Sequence, residues 1–328
     1  MEKINIAMVG YGNVGRGVEA ATKINADTEL VAVLTRRPEQ VRKELKEVPV
    51  FHSEEDPVSE DIQIDVAILC GGSKEDIPVH GPKFARRFNT VDSFDTHASI
   101  PGYFQKMDSI AEEHGNVHII SAGWDPGIFS LMRVLGDAFL PQGKHYTFWG
   151  EGVSQGHSDA ARKVKGVLDA RAYTIPIEAA VRQVRTGETP EFTKREMHKR
   201  SVYVVAEEGA DRERIRSGIV MMPHYYDEYD TEVIFISKEE MAENHAKLPH
   251  GGFVFTSGLT GGGSNKQILE YRCQLESNPE FTANVLVACA RAAYRLNKEG
   301  HKGAFTLLDI PPRYLSPHSV ETLRKSFM

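Results

Sequence analysis

Cysteine is scarce in this chain, and the three present, Cys70, Cys273 and Cys289, stand far apart with no CxxC spacing. That excludes a disulfide scaffold and a cysteine-ligated metal centre, and it reads as buried small hydrophobes in a reducing compartment. His52, His80, His114 and His118 make no metal-ligand spacing either, so no metal is expected. No apolar run approaches the roughly 20 residues of a membrane span. The first apolar strand begins so near the N-terminus that no signal peptide is expected. Basic residues are in deficit, 39 Lys and Arg against 46 Asp and Glu, for a net charge of -7, which argues against a nucleic-acid footprint. Repeats, low-complexity tracts and obvious linkers are missing too; Gly261 to Gly263 is the loosest point and reads as a hairpin or mobile loop. Together these absences point to a cytoplasmic globular protein.

What is there begins at once. Ile4, Ile6, Met8 and Val9 form a short apolar run that reads as a strand buried on both faces, and Gly10, Gly12 and Gly15 follow at G-x-G-x-x-G spacing before an amphipathic helix carrying Val14, Val18 and Ala21. Gly10 suits the tight turn, Gly12 lets the backbone approach a pyrophosphate, and Gly15 lets helix and strand pack closely. Amides at the start of that helix would hold the phosphates. Thr28 to Leu34 is the second strand, and its end lacks the acid that would bind the ribose 2'-hydroxyl of NAD. Thr35, Arg36 and Arg37 stand there instead, suited to a 2'-phosphate, so NADP(H) is expected over NAD(H).

At 328 residues the chain suits two domains. Asp65 to Cys70 is a further buried strand, followed by Gly71, Gly72 and Ser73, a loop expected to border the cofactor. Asn89 to Phe94 and Val117 to Ser121 continue the alternation of strands and helices, which argues for a doubly wound parallel sheet of Rossmann type over residues 1–123. Beyond the AGWDPG turn the rhythm changes. Strand-like stretches at His145 to Trp149, Ala170 to Ile177, Ser201 to Ala206, Thr231 to Ile236, Gly252 to Ser257 and Gln267 to Leu275 suggest a second α+β domain, 124–278, with a mixed or antiparallel sheet. That sheet would carry substrate and pair with a second copy in a homodimer. The helix from Phe281 to Leu296 and the tail to 328 are expected to return to the first domain.

Candidate chemistry sits at the carboxyl rim and in the second domain. Asp95 and Asp125, with Trp124, would suit a substrate ammonium; each aspartate could equally be a cap or turn former. Gln155, His157, Ser158 and Asp159 crowd a turn in which Ser158 or Asp159 could be a helix N-cap. Arg200 could be a solvated edge charge, Thr174 a plain strand former, His250 a loop residue with either a functional or a solvated side chain, and Asn278 a cap.

The motifs GYGNVG with TRR, then CGGS, VDSFDTH, SAGWDPG, FWGEGVSQGHSDA and LLDIPP, spread over nearly the whole chain, resemble those of the meso-diaminopimelate dehydrogenases. The resemblance implies a homodimeric NADP-dependent enzyme that oxidatively deaminates the D-centre of meso-2,6-diaminopimelate in lysine biosynthesis. It implies that Gly10, Tyr11, Gly12, Asn13, Val14, Gly15, Thr35, Arg36, Arg37, Cys70, Gly71, Gly72 and Ser73 bind the cofactor. Asp95, Trp124 and Asp125 would surround the reacting centre, with either aspartate as the general base. Gln155 and the neighbouring Gly156 would hold the nearby carboxylate with Asp159 close by; Thr174, Arg200 and His250 would hold the remote carboxylate and Asn278 its amino end. The rival readings are another NADP-linked imine or aldehyde reductase on the same scaffold, and a non-catalytic NADPH-sensing protein.

Overall fold

The computed structural model describes residues 3–55 and 62–328. The chain opens with β1 (Ile4–Val9), α1 (Asn13–Ile24), β2 (Thr28–Thr35), α2 (Pro38–Glu44), β3 (Val50–His52), β4 (Val66–Leu69), α3 (Ile77–Ala85), β5 (Asn89–Asp92), α4 (Ile100–His114), β6 (Val117–Ile119) and α5 (Ile128–Phe139). Next come β7 (Lys144–Trp149), β8 (Gly152–Val153), α6 (Gln155–Arg162), β9 (Val167–Pro176), α7 (Glu178–Arg185), α8 (Lys194–Met197) and β10 (His198–Ala206). Then follow α9 (Arg212–Val220), β11 (Asp230–Phe235), α10 (Lys238–Asn244), β12 (His250–Thr260) and β13 (Asn265–Leu275). The chain closes with α11 (Asn278–Lys298), β14 (Gly303–Phe305), α12 (Pro312–Leu315) and α13 (Val320–Phe327).

These elements make two compact units, residues 1–131 with 279–328, and residues 132–278. The first unit therefore runs past the AGWDPG turn into α5, eight residues beyond the break at 123 that turn residues suggest. Turn chemistry marks where a strand ends, not where the packing changes hands.

The first unit is a seven-stranded sheet in the order β14-β6-β5-β4-β1-β2-β3, every pairing parallel. The strands are Val- and Ile-rich because both faces are covered, and β4 and β5 are buried at every position. Strand order reverses between β1 and β4, the place where a doubly wound sheet opens a crevice for ligand. β14 completes the far edge by pairing with β6. α11 joins the same core through Ala283, Leu286, Val287, Ala290 and Ala293, packed with Ile6, Met8 and Val18.

The second unit holds two sheets, β11-β10-β9-β8 and β13-β12-β7. All pairings are antiparallel except β10 with β11. β12 and β13 form a hairpin closed at Gly261, Gly262 and Gly263, all at positive φ. The smaller sheet's core gathers Tyr146, Phe148 and Phe255 against Val181 and Val184 of α7.

A buried ion pair ties α11 to the turn before β2. Arg291, 1% exposed, donates Nε to Asp27 Oδ2 at 2.5 Å and Nη2 to Asp27 Oδ1 at 2.7 Å, with further bonds to Asn25 Oδ1 and the Leu315 carbonyl. The guanidinium bond holds the Asp27 carboxyl below its ordinary range, so the pair adds stability above the unfolded acid's titration and loses it on acidification. Arg291→Met leaves that carboxylate stranded and should cost about 3 kcal/mol at neutral pH. Urea midpoints should show the penalty shrinking as Asp27 takes up its proton; a penalty independent of pH would assign the loss to packing alone.

Candidate functional site

The dinucleotide end is built on the β1–α1 turn. Gly10 leaves β1 at φ +101, and a Cβ on Gly15 would overlap the Gly10 carbonyl, so the tight turn admits no side chain at either place. A Cβ on Gly12 would meet nothing within 4 Å, leaving its backbone open to a ligand. No side chain caps α1, so the amides that begin it at Asn13, Val14 and Gly15 are available to an anion. Tyr11 is buried; its hydroxyl donates to Glu19 at 2.6 Å, and burial first and Glu19 second push its pKa up to about 12.

At the end of β2, Thr35 is buried and its hydroxyl accepts the Arg37 amide at 3.3 Å. The exposed Arg36 guanidinium lies 3.4 Å from Asp76 Oδ1. Asp76 also accepts the Gly72 amide through Oδ2 at 2.8 Å, so one carboxylate steadies both the arginine and the loop after β4. Burial raises the Cys70 thiol far above its ordinary range, which keeps it a neutral packing group. Gly10, Gly12, Thr35, Arg36, Arg37 and Gly71 line a cavity of about 210 Å³ together with Ser53, Asp76 and His80. Sequence reasoning missed Ser53 after β3, Asp76 just ahead of α3 and His80 within α3, which leave no local signature. Among the described residues no three His, Cys, Asp or Glu side chains could hold a metal ion.

The rim carboxylates follow β5 and β6. Asp95 is exposed, and its amide donates to Ser73 Oγ at 2.8 Å. It is not the cap of the following helix, because Ser99 holds that position in α4. Trp124 is buried with its ring edge-on to Phe129 at 5.1 Å, and Asp125 is half-buried. Beneath both loops lies Asp92, fully buried and unnoticed at the sequence level. Its Oδ1 accepts the amides of Phe94 at 3.0 Å and Ser121 at 3.1 Å, and its Oδ2 accepts the Tyr103 hydroxyl at 2.7 Å. Burial pushes its pKa up to about 6 against the pull of those three donors.

In the second unit Gln155 and Gly156 open α6 and are exposed. The helix N-cap is Ser154, not Ser158 or Asp159. Ser158 is instead a brace, donating to the Ser154 carbonyl at 2.7 Å and accepting the Ala172 amide at 2.9 Å. Asp159 is exposed and paired with Arg162. Thr174 and Arg200 face each other across β9 and β10, 4% and 6% exposed, and Arg200 Nη1 donates to Thr174 Oγ1. The reading of Arg200 as a solvated edge charge is therefore wrong: β11 pairs with the other side of β10 and encloses it.

Arg200 is an unusual cation. Its guanidinium lies 4.3 Å from the centre of the Tyr229 ring, its Nε is buried without a hydrogen-bond partner, and burial lowers its pKa. Among the described residues no carboxylate lies within ion-pair distance. His157 and His198 are each lowered to about 4, by burial first and by Arg200 second, so both are neutral around it at ordinary pH. His157 is ringed edge-on by Tyr225, Tyr226 and Tyr229 at 5.4 to 6.4 Å. His250 begins β12 half-buried with its Nδ1 accepting the Gly251 amide at 2.8 Å. Asn278 begins α11 and donates its amide to the Leu248 carbonyl at 2.9 Å.

The pH dependence of Asp92 follows from its environment. A carboxyl whose folded pKa is raised from 3.8 to about 6 contributes stability that is complete below the unfolded value and lost as pH rises through the folded one. Relative to the wild type, Asp92→Asn should gain up to about 3 kcal/mol between pH 4 and 7, the equivalent of a shift of about two units. Paired urea titrations across that range check it; a constant gap would mean that Asp92 keeps an ordinary acid constant.

The geometry can be set beside known proteins. Residues 123–277 match the family model described as the diaminopimelic acid dehydrogenase C-terminal domain. The chain is 56% identical over 328 residues to the meso-diaminopimelate D-dehydrogenase of Ureibacillus thermosphaericus, covering all of both chains. Among solved structures, Corynebacterium glutamicum DAP dehydrogenase in complex with DAP is 42% identical with a TM-score of 0.92, covering all of both chains. An engineered D-amino acid dehydrogenase bound to NADP+ is 41% identical with a TM-score of 0.86, covering 99% of this chain and 100% of the other.

Proposed function

The chain belongs to the meso-diaminopimelate D-dehydrogenase family, and from that premise we propose that it oxidatively deaminates the D-centre of meso-2,6-diaminopimelate with NADP+. Substrate, water and NADP+ give L-2-amino-6-oxopimelate, ammonium, NADPH and a proton, reversibly. The relatives' names favour this over a different imine or aldehyde reductase or a cofactor sensor. The observation that carries it is Arg200: a buried cation with no anionic partner among the described residues, suited to a substrate carboxylate.

The nucleotide end fits NADP(H). An open Gly12 backbone and an uncapped helix start suit a pyrophosphate, and two arginines where an NAD enzyme would have an acid suit a 2'-phosphate. The bound dinucleotide supplies the hydride acceptor. Asp95, Trp124 and Asp125 serve the D-centre: the carboxylates bind its ammonium, and one of them takes its proton before hydride loss and activates the water that follows. Gln155 and Gly156 hold the adjacent carboxylate, with Asp159 nearby. Thr174, Arg200 and His250 hold the remote carboxylate, and Asn278 the remote amino group. Requiring donors at both ends discriminates strongly against substrates lacking one of them. The setting is lysine biosynthesis in the cytoplasm. The protein works as a homodimer, a reading supported by Leu259, Ile268 and Leu269, exposed apolar side chains of the β12–β13 hairpin that a second copy would cover.

A steady-state assay of meso-diaminopimelate against its LL isomer, first with NADP+ and then with NAD+, tests the whole reading; equal rates on the two isomers would overturn it. Arg36→Asp should weaken NADP+ about 100-fold and NAD+ by no more than about 3-fold, and equal losses would remove Arg36 from the 2'-phosphate site. Arg200→Met should lower kcat/KM for meso-diaminopimelate by about 100-fold while sparing simpler D-amino acids that lack the second carboxylate. Unchanged kinetics on meso-diaminopimelate would take Arg200 out of the site.

A further inference from the structure

β5 and β6 are parallel neighbours, with Val91 opposite Ile119. Just beyond their carboxyl ends lie Asp95 and, on the second loop, Trp124 and Asp125. The Asp92 side chain is hydrogen-bonded to both loops. Its bond to the Phe94 amide is a local Asx turn, but its bond to the Ser121 amide joins positions 29 residues apart. The Asp92 carbonyl makes the same junction again by accepting the Ala122 amide at 2.8 Å. Ser121 sits at φ +55, a conformation that a residue with a side chain keeps only when its surroundings over-determine it.

α4 supplies the second carboxylate oxygen with its partner. The Tyr103 ring packs on Phe94 with centroids 4.4 Å apart, and its hydroxyl reaches Asp92 because residue 81 of α3 is glycine. A Cβ there would overlap the phenol oxygen. A carboxylate buried against amides and a phenol, with no cation, is a costly way to fill a core position. Packing alone would be served as well by an apolar side chain; what Asp92 adds is a defined distance between two loops.

We propose that Asp92 is a positioning residue for the reaction, fixing the loops that carry Asp95 and Asp125 so that both carboxylates meet one substrate ammonium. This rests on the reading of Asp95 and Asp125 as the D-centre carboxylates. Misplacing a reacting group by about 1 Å costs on the order of 100-fold in rate, and Asp92 acts on that scale without touching the substrate.

The test uses the full-length protein with NADP+ and meso-diaminopimelate. Asp92→Ala releases both loops and should lower kcat/KM by about 100-fold with the NADP+ dissociation constant changed less than about 2-fold. Asp92→Asn keeps one oxygen for the two amides and an amide group for the Tyr103 oxygen, and should stay within about 5-fold of the wild type. Introduced into Asp95→Asn and Asp125→Asn backgrounds, Asp92→Ala should cost less than about 5-fold more, because the group it positions is already disabled. Tyr103→Phe, which removes a single bond, should cost about 5-fold in the wild type and nothing further in those backgrounds; it carries the test if Asp92→Ala does not fold. A full 100-fold loss in every background would make Asp92 merely structural and overturn the proposal. Should Asp95→Asn and Asp125→Asn themselves leave kcat/KM intact, the assignment of the carboxylates and the proposal resting on it both fall.

Discussion

Everything in the first unit depends on the parallelism of its sheet. Parallel strands deliver their carboxyl ends to one edge, so the turn after β1, the arginines after β2, the glycines after β4 and the aspartates after β5 and β6 gather on one rim although they are scattered over more than a hundred residues of sequence. The cost is that every such loop begins inside a buried sheet, and its backbone groups must find partners there. Asp76 and Asp92 meet that demand, each with one carboxylate accepting an amide from the rim: Gly72 for Asp76, Phe94 and Ser121 for Asp92. Ser73 adds a third link by accepting the Asp95 amide. The rim is thus a hydrogen-bonded network of side chains rather than a set of independent loops.

The second unit solves a different problem. An antiparallel sheet presents side chains directly across a strand pair, and that register places Thr174 opposite Arg200. Enclosing the guanidinium between β9 and β11, under Tyr229 and beside two neutral histidines, strips it of water, and no described residue provides a counter-charge. Removing a charge from water is unfavourable unless an opposite charge is supplied, a demand that the remote carboxylate of the proposed substrate would meet.

Sequence periodicity revealed what is local. The β1–glycine–α1 start, the arginine pair, and Asp95 and Asp125 were all legible because each follows a strand whose apolar run announces its own end. The edge-charge alternative for Arg200 could not be dismissed from sequence because its enclosure depends on β11, a strand arriving some thirty residues later and on the far side of β10. Asp92 was passed over in VDSFD because β5 is buried at all four positions, leaving no alternation to mark one residue as special. Ser158 and Asp159 looked like caps by residue type, yet the helix begins one turn earlier, at a serine whose own hydroxyl is taken by His157. For Arg200 and Asp92 the missing information was a partner distant in sequence, whereas for Ser158 and Asp159 it was the local point at which the helix starts.

The two buried charges then differ in a way that separates their tasks. Asp92 is complete: both carboxylate oxygens are occupied by donors from its own chain, which makes it fit to hold geometry and unfit to bind anything further. Arg200 is incomplete: it has a hydroxyl and an aromatic face, but a buried Nε without an acceptor. Because an unsatisfied buried donor is expensive, the unpaired Nε is a cost at Arg200 that a ligand acceptor would relieve, whereas Asp92 carries no such demand. On the proposed reading, truncating the two side chains should therefore do damage by different routes, at Arg200 by removing donors meant for a ligand and at Asp92 by removing the acceptor that ties two loops together.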